Sequence, residues 1–165
     1  MNISKSIAGF ALLISSINVA YAIPADSLYQ ISISKPGSLT PYYQAHSKVP
    51  FTKPYSALTD EQKHVVKSKF KNLGVNDTPP YPSNGSGELY RALLKAGVNK
   101  SQTGKLILLA TIDANGEVTA IEISESPSDY LARKASRIVR KTRFDAASCD
   151  GVNCEMSFPI EIQFN

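Results

Sequence analysis

The chain has 165 residues and a formal net charge of +4, with 18 basic and 14 acidic residues. This mild balance does not indicate specific nucleic-acid binding, and the length suits one domain of about 100–150 residues plus an extension. The two cysteines lie far in sequence from the two histidines, so there are too few neighbouring ligands for a metal centre. No phosphate loop or nucleophile motif is present, so we expect no enzyme, no catalytic residue, no cofactor and no metal.

The first 22 residues have the pattern of a secretory signal peptide. Lys5 gives a positive start, residues 7–19 are mostly apolar, and small residues precede the junction between Ala22 and Ile23. We expect cleavage at that junction and a periplasmic chain with no integral membrane span. An uncleaved anchor is the alternative, because a stretch of about 17 apolar residues can just cross a bilayer.

Residues 23–79 are predicted to be an extension that precedes the main domain at 80–165. Five prolines interrupt residues 23–57, which therefore look mostly irregular. An exception is the segment at about 28–34, where apolar and polar residues alternate as in a half-buried strand.

Two helices are expected before the main sheet. The first spans about 60–73, with Thr59 and Gln62 forming a capping box and Gly74 in the left-handed position after its end. Its lysines indicate a solvated face or an anion-attracting patch. The second spans about 88–96 and ends at Gly97.

A β-hairpin is predicted next. Residues 105–112 are apolar at nearly every position, which is typical of a central strand covered on both faces. Residues 113–116 include an Asn-Gly pair suited to a tight turn, and residues 117–124 form the returning strand.

A further helix follows this hairpin. Ser126 fits its N-cap and Pro127 its first position. An apolar stripe is predicted to face the sheet at Leu131, Ala135, Ile138 and Thr142. Another stripe consists of Arg133, Arg137 and Arg140. It is either the wet face of the helix or a contact for an anionic partner such as lipid head groups, a glycan or nucleic acid.

The last strand has the clearest alternation in the chain, and Pro159 indicates an edge position because proline cannot donate to a ladder. We predict that this edge binds a partner. The candidate binding residues are Glu155, Met156, Ser157, Phe158, Pro159, Ile160, Glu161, Ile162, Gln163 and Phe164.

Cys149 and Cys154 stand just before this strand. An even cysteine count in an exported chain favours a disulfide, and the spacing suits a hairpin loop that aims the last strand. The order of elements from residue 104 onward is thus β-β-α-β, in an α+β fold.

Residues from about 80 to 165 resemble the C-terminal domain of the TonB energy-transducer family. The resemblance consists of Pro80-Tyr81-Pro82, Gly104, Ile112-Asp113, Asn115-Gly116, Val118, Ser124, Pro127, Arg143-Phe144, Ala147, Gly151 and Pro159-Ile160 through Phe164. It implies a small three-stranded antiparallel sheet with packed helices. It also implies that a short extended peptide of an outer-membrane transporter is bound as an extra strand beside the last strand, by β-augmentation.

The chain departs from a working transducer of that family, which needs a membrane anchor and a long Pro-rich spacer. Three functions therefore stay open. The first is a periplasmic adaptor that captures a strand of an outer-membrane or envelope protein. The second is a structural module that forms a homodimer or covers its own edge with the strand at 28–34. The third is a transducer with an uncleaved anchor.

Overall fold

A computed structural model of the chain describes residues 29–34, 37, 43–71, 73–98 and 101–164. The predicted signal peptide and its cleavage site at Ala22 and Ile23 lie outside these residues. Within the described ranges, no helix is both long and apolar enough to span a membrane.

The described residues form an α+β fold, as predicted. In chain order the elements are β1 (Tyr29–Ile33), β2 (Tyr43–Ser47), α1 (Asp60–Lys67), β3 (Tyr81–Pro82), α2 (Gly87–Val98), β4 (Gly104–Ile112), β5 (Val118–Glu125), α3 (Asp129–Lys141), β6 (Phe144–Asp145), β7 (Ala147–Cys149), β8 (Val152–Cys154) and β9 (Met156–Phe164).

The main sheet has three antiparallel strands in the order β5-β4-β9. β4 is central, as its apolar sequence predicted. β9 pairs with β4 without a register shift, from Gly104 opposite Phe164 to Ile112 opposite Met156. β9 is therefore an edge strand of this sheet, which confirms the prediction from Pro159.

The core lies between one face of this sheet and the helices α2 and α3. Its members are completely or almost completely buried: Leu93, Leu94, Leu106, Leu108, Ala110, Ile112, Leu131, Ala135, Val139, Ile160, Ile162 and Phe164. The other face of β4 is not covered by the described residues, since the side chain of Leu109 is 37% exposed. The prediction of cover on both faces is therefore wrong.

The start of α3 and its buried stripe differ from the sequence prediction. α3 is capped by Ser128 instead of Ser126, because the Ser128 hydroxyl accepts from the Leu131 N–H at 3.2 Å and also bonds the Gln102 side chain. The Ser126 hydroxyl donates to the Ser128 carbonyl. Along α3 the buried stripe continues to Val139, whereas the predicted Ile138 and Thr142 are only half-buried.

Two predicted helix ends are also wrong. The capping box of Thr59 and Gln62 is present, but α1 ends at Lys67, and Gly74 is outside the left-handed region. After the helix the Lys69 and Phe70 N–H groups donate to carbonyls three residues back, and the Phe70 ring lies 6.3 Å from that of Phe158. α2 continues through Gly97, which is a close-packing position against Phe164 and not a helix end.

The predicted strand at 28–34 is present as β1, but its partner was missed. β1 pairs antiparallel with β2, from Tyr29 opposite Ser47 to Ile33 opposite Tyr43. The hairpin packs on α2 and lies alongside β9. In the described part of the chain β1 does not pair with β9, so the idea that β1 covers this edge is wrong.

Candidate functional site

An open cleft of about 800 Å³ lies between β9 and β2. The two strands run antiparallel along it. At one end the rings of Tyr43 and Phe164 pack edge to face, with 5.1 Å between centroids. At the other end His46 lies near Pro159, since both line the cleft and a smaller hollow beside it. No ladder joins the two strands among the described residues, although some of their Cα atoms lie within 8 Å of each other. Neighbouring strands are about 4.8 Å apart, so another strand fits only where β2 and β9 are roughly 10 Å apart.

The outer edge of β9 presents a defined set of backbone groups. In an antiparallel strand, the N–H and C=O groups of one residue point to the same side, and those of the next residue point to the other side. The ladder with β4 is continuous and Pro159 has no N–H, so Pro159 must face away from β4. Ser157, Glu161 and Gln163 then face outward too. Apart from Pro159, each brings one donor and one acceptor to the outer edge.

The opposite edge of the sheet is less suited to pairing. β5 has register shifts against β4 near both of its ends, between Ile107 and Leu108 and between Thr111 and Ile112. Bulges of this kind bend a strand and disrupt the flat edge that another strand would need. β9 is regular over its whole length, and its edge faces a cleft.

Two charged side chains stand at the cleft, one on each wall. Glu161 of β9 forms a salt bridge with Lys105 at 2.6 Å. Lys69, just after α1, forms no salt bridge within 4 Å to any residue that the structure describes. Partial desolvation lowers the pKa of the Lys69 ammonium, and the nearby Glu161 carboxylate opposes this shift. Lys69 is therefore a cation available to a bound group.

Tyr90 of α2 lines the cleft beneath these charges. Its ring packs against that of Phe51 with 5.5 Å between centroids. Burial raises the pKa of the Tyr90 phenol to about 12, so the hydroxyl stays protonated at neutral pH. This wall of the cleft is therefore aromatic and uncharged.

The cysteine hairpin is fixed to the segment that follows α1. Cys149 of β7 and Cys154 of β8 form the predicted disulfide, with 5.8 Å between Cα atoms. The turn at Asp150 and Gly151 has positive φ at both residues. The Asp77 carboxylate accepts from the Asp150 N–H at 2.9 Å. β9 begins two residues after Cys154, so the hairpin fixes where it starts.

The predicted site residues are thus only partly brought together. Of the ten binding candidates, only Pro159, Ile160, Glu161, Ile162 and Gln163 line the cleft. Phe158 lines the neighbouring hollow, Phe164 closes the far end, and Glu155, Met156 and Ser157 lie beyond the lining. Arg133, Arg137 and Arg140 are exposed on α3 and do not line the cleft. Their contact with an anionic partner stays a prediction.

Several cleft residues were missed by sequence reasoning. β2 carries a sequence signal that could have found it, because apolar Tyr43 and Ala45 alternate with polar Gln44 and His46. In the structure the first two are buried and the other two are exposed. Lys69 and Tyr90 carry none, since only the tertiary fold brings α2 and the segment after α1 to β9. Among the described residues there is no cluster of three or more His, Cys, Asp or Glu side chains that could hold a metal.

Residues 97–165 match the family model described as Gram-negative bacterial TonB protein C-terminal. The match confirms the resemblance inferred from the sequence and covers the main sheet, α3 and the cysteine hairpin. It leaves out β1, β2, α1 and most of α2, so the cleft walls formed by β2, Lys69 and Tyr90 precede the matched residues. No curated protein sequence matches the chain significantly.

Proposed function

We propose that the protein is an exported, non-enzymatic adaptor that captures an extended segment of an outer-membrane or envelope protein. The captured segment adds as a strand along the outer edge of β9. The observation that carries this proposal is the set of outward backbone groups at Pro159, Glu161 and Gln163, which face a cleft open to solvent. The TonB C-terminal match supports the same reading, since that family binds outer-membrane proteins.

β-augmentation suits this edge for a physical reason. Backbone hydrogen bonds give affinity in this mode, and pockets for alternate side chains give specificity. Each bond contributes a net of about 0.5–1.5 kcal/mol, and association has to overcome lost translational and rotational freedom. A few bonds along β9 would therefore bind weakly alone, and side-chain contacts with the walls of the cleft would supply the rest.

A pair of substitutions at Glu161 tests this mode directly. Glu161→Pro removes an N–H that points away from β4. Pro159 points the same way, which shows that β9 accepts proline at such a position. Glu161→Ala removes the side chain, including its ion pair with Lys105, and keeps the N–H. We expect the proline variant to lose at least ten-fold in affinity for a partner peptide and the alanine variant to lose less than three-fold. Equal losses in two folded variants would contradict capture through the backbone.

The partner can be identified by photocrosslinking in intact cells. A photoreactive residue at Gln163 should trap a specific envelope protein, and the same residue at Glu122 on β5 should not. The trapped species should disappear when Glu161→Pro is added. Trapping of the same protein from both edges would argue against β9 as the binding surface.

Export is tested separately by sequencing the N-terminus of the mature protein. We expect it to be Ile23. A retained Met1 would instead support the alternative of an anchored transducer.

A further inference from the structure

A small hollow of about 50 Å³ lies beside the cleft, next to the edge of β9. His46, Lys69, Tyr90 and Pro159 line both spaces, so the hollow adjoins the path of a strand paired with β9. We call it the side-chain pocket.

Most residues around the side-chain pocket are aromatic or aliphatic, while His46, Ser47, Lys69 and Ser86 give it a polar side of about equal exposed surface. The apolar residues include Val66 of α1, Phe70, Tyr81 and Phe158. The Phe158 ring stands 6.3 Å from that of Phe70 and 6.2 Å from that of Tyr81. Val66, Tyr81 and Phe158 are each at most 6% exposed. The pocket is thus preformed by well-packed side chains and does not depend on a mobile loop.

The volume of the pocket limits what it can hold. A cavity of about 150 Å³ binds benzene, which has six non-hydrogen atoms. By the same proportion, 50 Å³ holds roughly two such atoms. A valine with its Cβ at the mouth would place two methyl groups inside, whereas leucine or phenylalanine would not fit.

We propose that the side-chain pocket takes one small apolar side chain, of the size of valine, from the strand captured at β9. This inference rests on the proposed function and adds the chemistry of the partner. Successive side chains of an added strand point to opposite faces of the sheet. The residue above the pocket faces the rings of Phe70 and Phe158, and its two neighbours face the open side.

The preference for a valine-sized side chain would be a property of this chain more than of the family it resembles. Val66, Phe70, Tyr81 and Tyr90 all precede residue 97, where the family match begins. The family portion supplies the β9 edge, and the preceding segment supplies most of the pocket.

A peptide series tests the inference. The probe is a capped nonapeptide of alternating Thr and Gln. One position at a time is replaced by Gly, Ala, Val, Leu or Phe. The replaced position is then moved along the peptide. Binding to the full mature protein is measured by calorimetry or fluorescence anisotropy. At one position valine should bind on the order of ten-fold tighter than glycine, because each buried methyl group contributes about 0.8 kcal/mol. Leucine and phenylalanine should bind more weakly than valine.

Two pocket variants should move this preference in opposite directions. Phe70→Ala enlarges the pocket and should make leucine the best residue. Val66→Ile adds one methyl group and should make alanine better than valine. Val118→Ala removes a half-buried side chain on β5 and serves as a control, which should keep the valine preference.

The outcomes separate this inference from the proposed function. If no nonapeptide binds, or if Glu161→Pro has no effect on binding, the proposed function fails. If the peptides bind through the β9 edge but side-chain size has no effect at any position, only the side-chain pocket is refuted. A size preference that does not change in Phe70→Ala and Val66→Ile would also refute it.

Discussion

Gly97→Ala should destabilise the protein, although alanine is the better helix former. Gly97 lies inside α2, where replacing glycine by alanine normally stabilises a helix by about 1 kcal/mol. A Cβ at this position would stand 2.6 Å from Cδ1 and 3.2 Å from Cζ of Phe164, whereas carbon atoms prefer about 3.5–4.0 Å. The ring therefore has to move by roughly 1 Å.

The ring of Phe164 has little room for this movement. It is 1% exposed and packs against the ring of Tyr43 at 5.1 Å. Overpacking of a core costs typically 1–3 kcal/mol. Because Cε1 of Phe164 would stand closer still to the new Cβ, we expect the cost to lie in the upper part of this range, about 2–3 kcal/mol. After subtracting the gain of about 1 kcal/mol in helix propensity, Gly97→Ala should lower the free energy of unfolding by about 1–2 kcal/mol.

Urea unfolding followed by circular dichroism measures this change. A loss of 1 kcal/mol corresponds to a fall in Tm of roughly 3–6 °C in a domain of this size. The double variant Gly97→Ala with Phe164→Leu should show favourable coupling, because the smaller side chain relieves the clash. Gly97→Ala as stable as the wild type would refute the packing argument.

Three further predictions concern charge, the disulfide and pH. Lys69→Glu should weaken the binding of a peptide that has one Glu near the centre of the bound strand. Lys71→Glu is the control, because Lys71 does not line the cleft, and should leave this binding unchanged. Isothermal calorimetry at two salt concentrations measures both affinities. The variant that replaces both Cys149 and Cys154 by alanine should lose about 2 kcal/mol of stability, as expected for closure of so short a loop, and equilibrium unfolding with no loss would contradict this. Hydrogen bonds from the Asp150 and Gly74 N–H groups lower the pKa of Asp77 below its ordinary 3.8. Its contribution to stability is therefore complete above about pH 4 and is lost as the pH falls through the lower folded pKa. Asp77→Asn should lose less stability than the wild type between pH 5 and pH 2.5, and equal losses would contradict the assignment.

The elements with local signals were predicted well from the sequence. The alternation of residues 156–164 identified β9, and proline chemistry identified its edge position. The even cysteine count in an expected export product predicted the disulfide, and the short spacing of Cys149 and Cys154 predicted the hairpin loop that it closes. These features depend on interactions between residues close in sequence.

Features that depend on distant residues were predicted poorly. Pro127 favoured Ser126 as the N-cap of α3, whereas Ser128 caps the helix and also bonds the distant Gln102 side chain, a contact that local sequence does not show. Gly97 looked like a helix end, yet its role is set by a ring on β9. The cleft itself could not be predicted, because it requires β2, α2 and the segment after α1 to meet one edge of the sheet.

Pro159 has a consequence for solubility at high concentration. An unprotected strand edge can also recruit further copies of the same chain, and repeated stacking leads to fibrils. At Pro159 the row of donors is interrupted, so two β9 edges from separate molecules cannot complete a regular ladder with each other. A guest segment can still bind by placing a residue that needs no donor opposite Pro159. The interruption would thus keep the edge receptive to partners and unfavourable for its own aggregation.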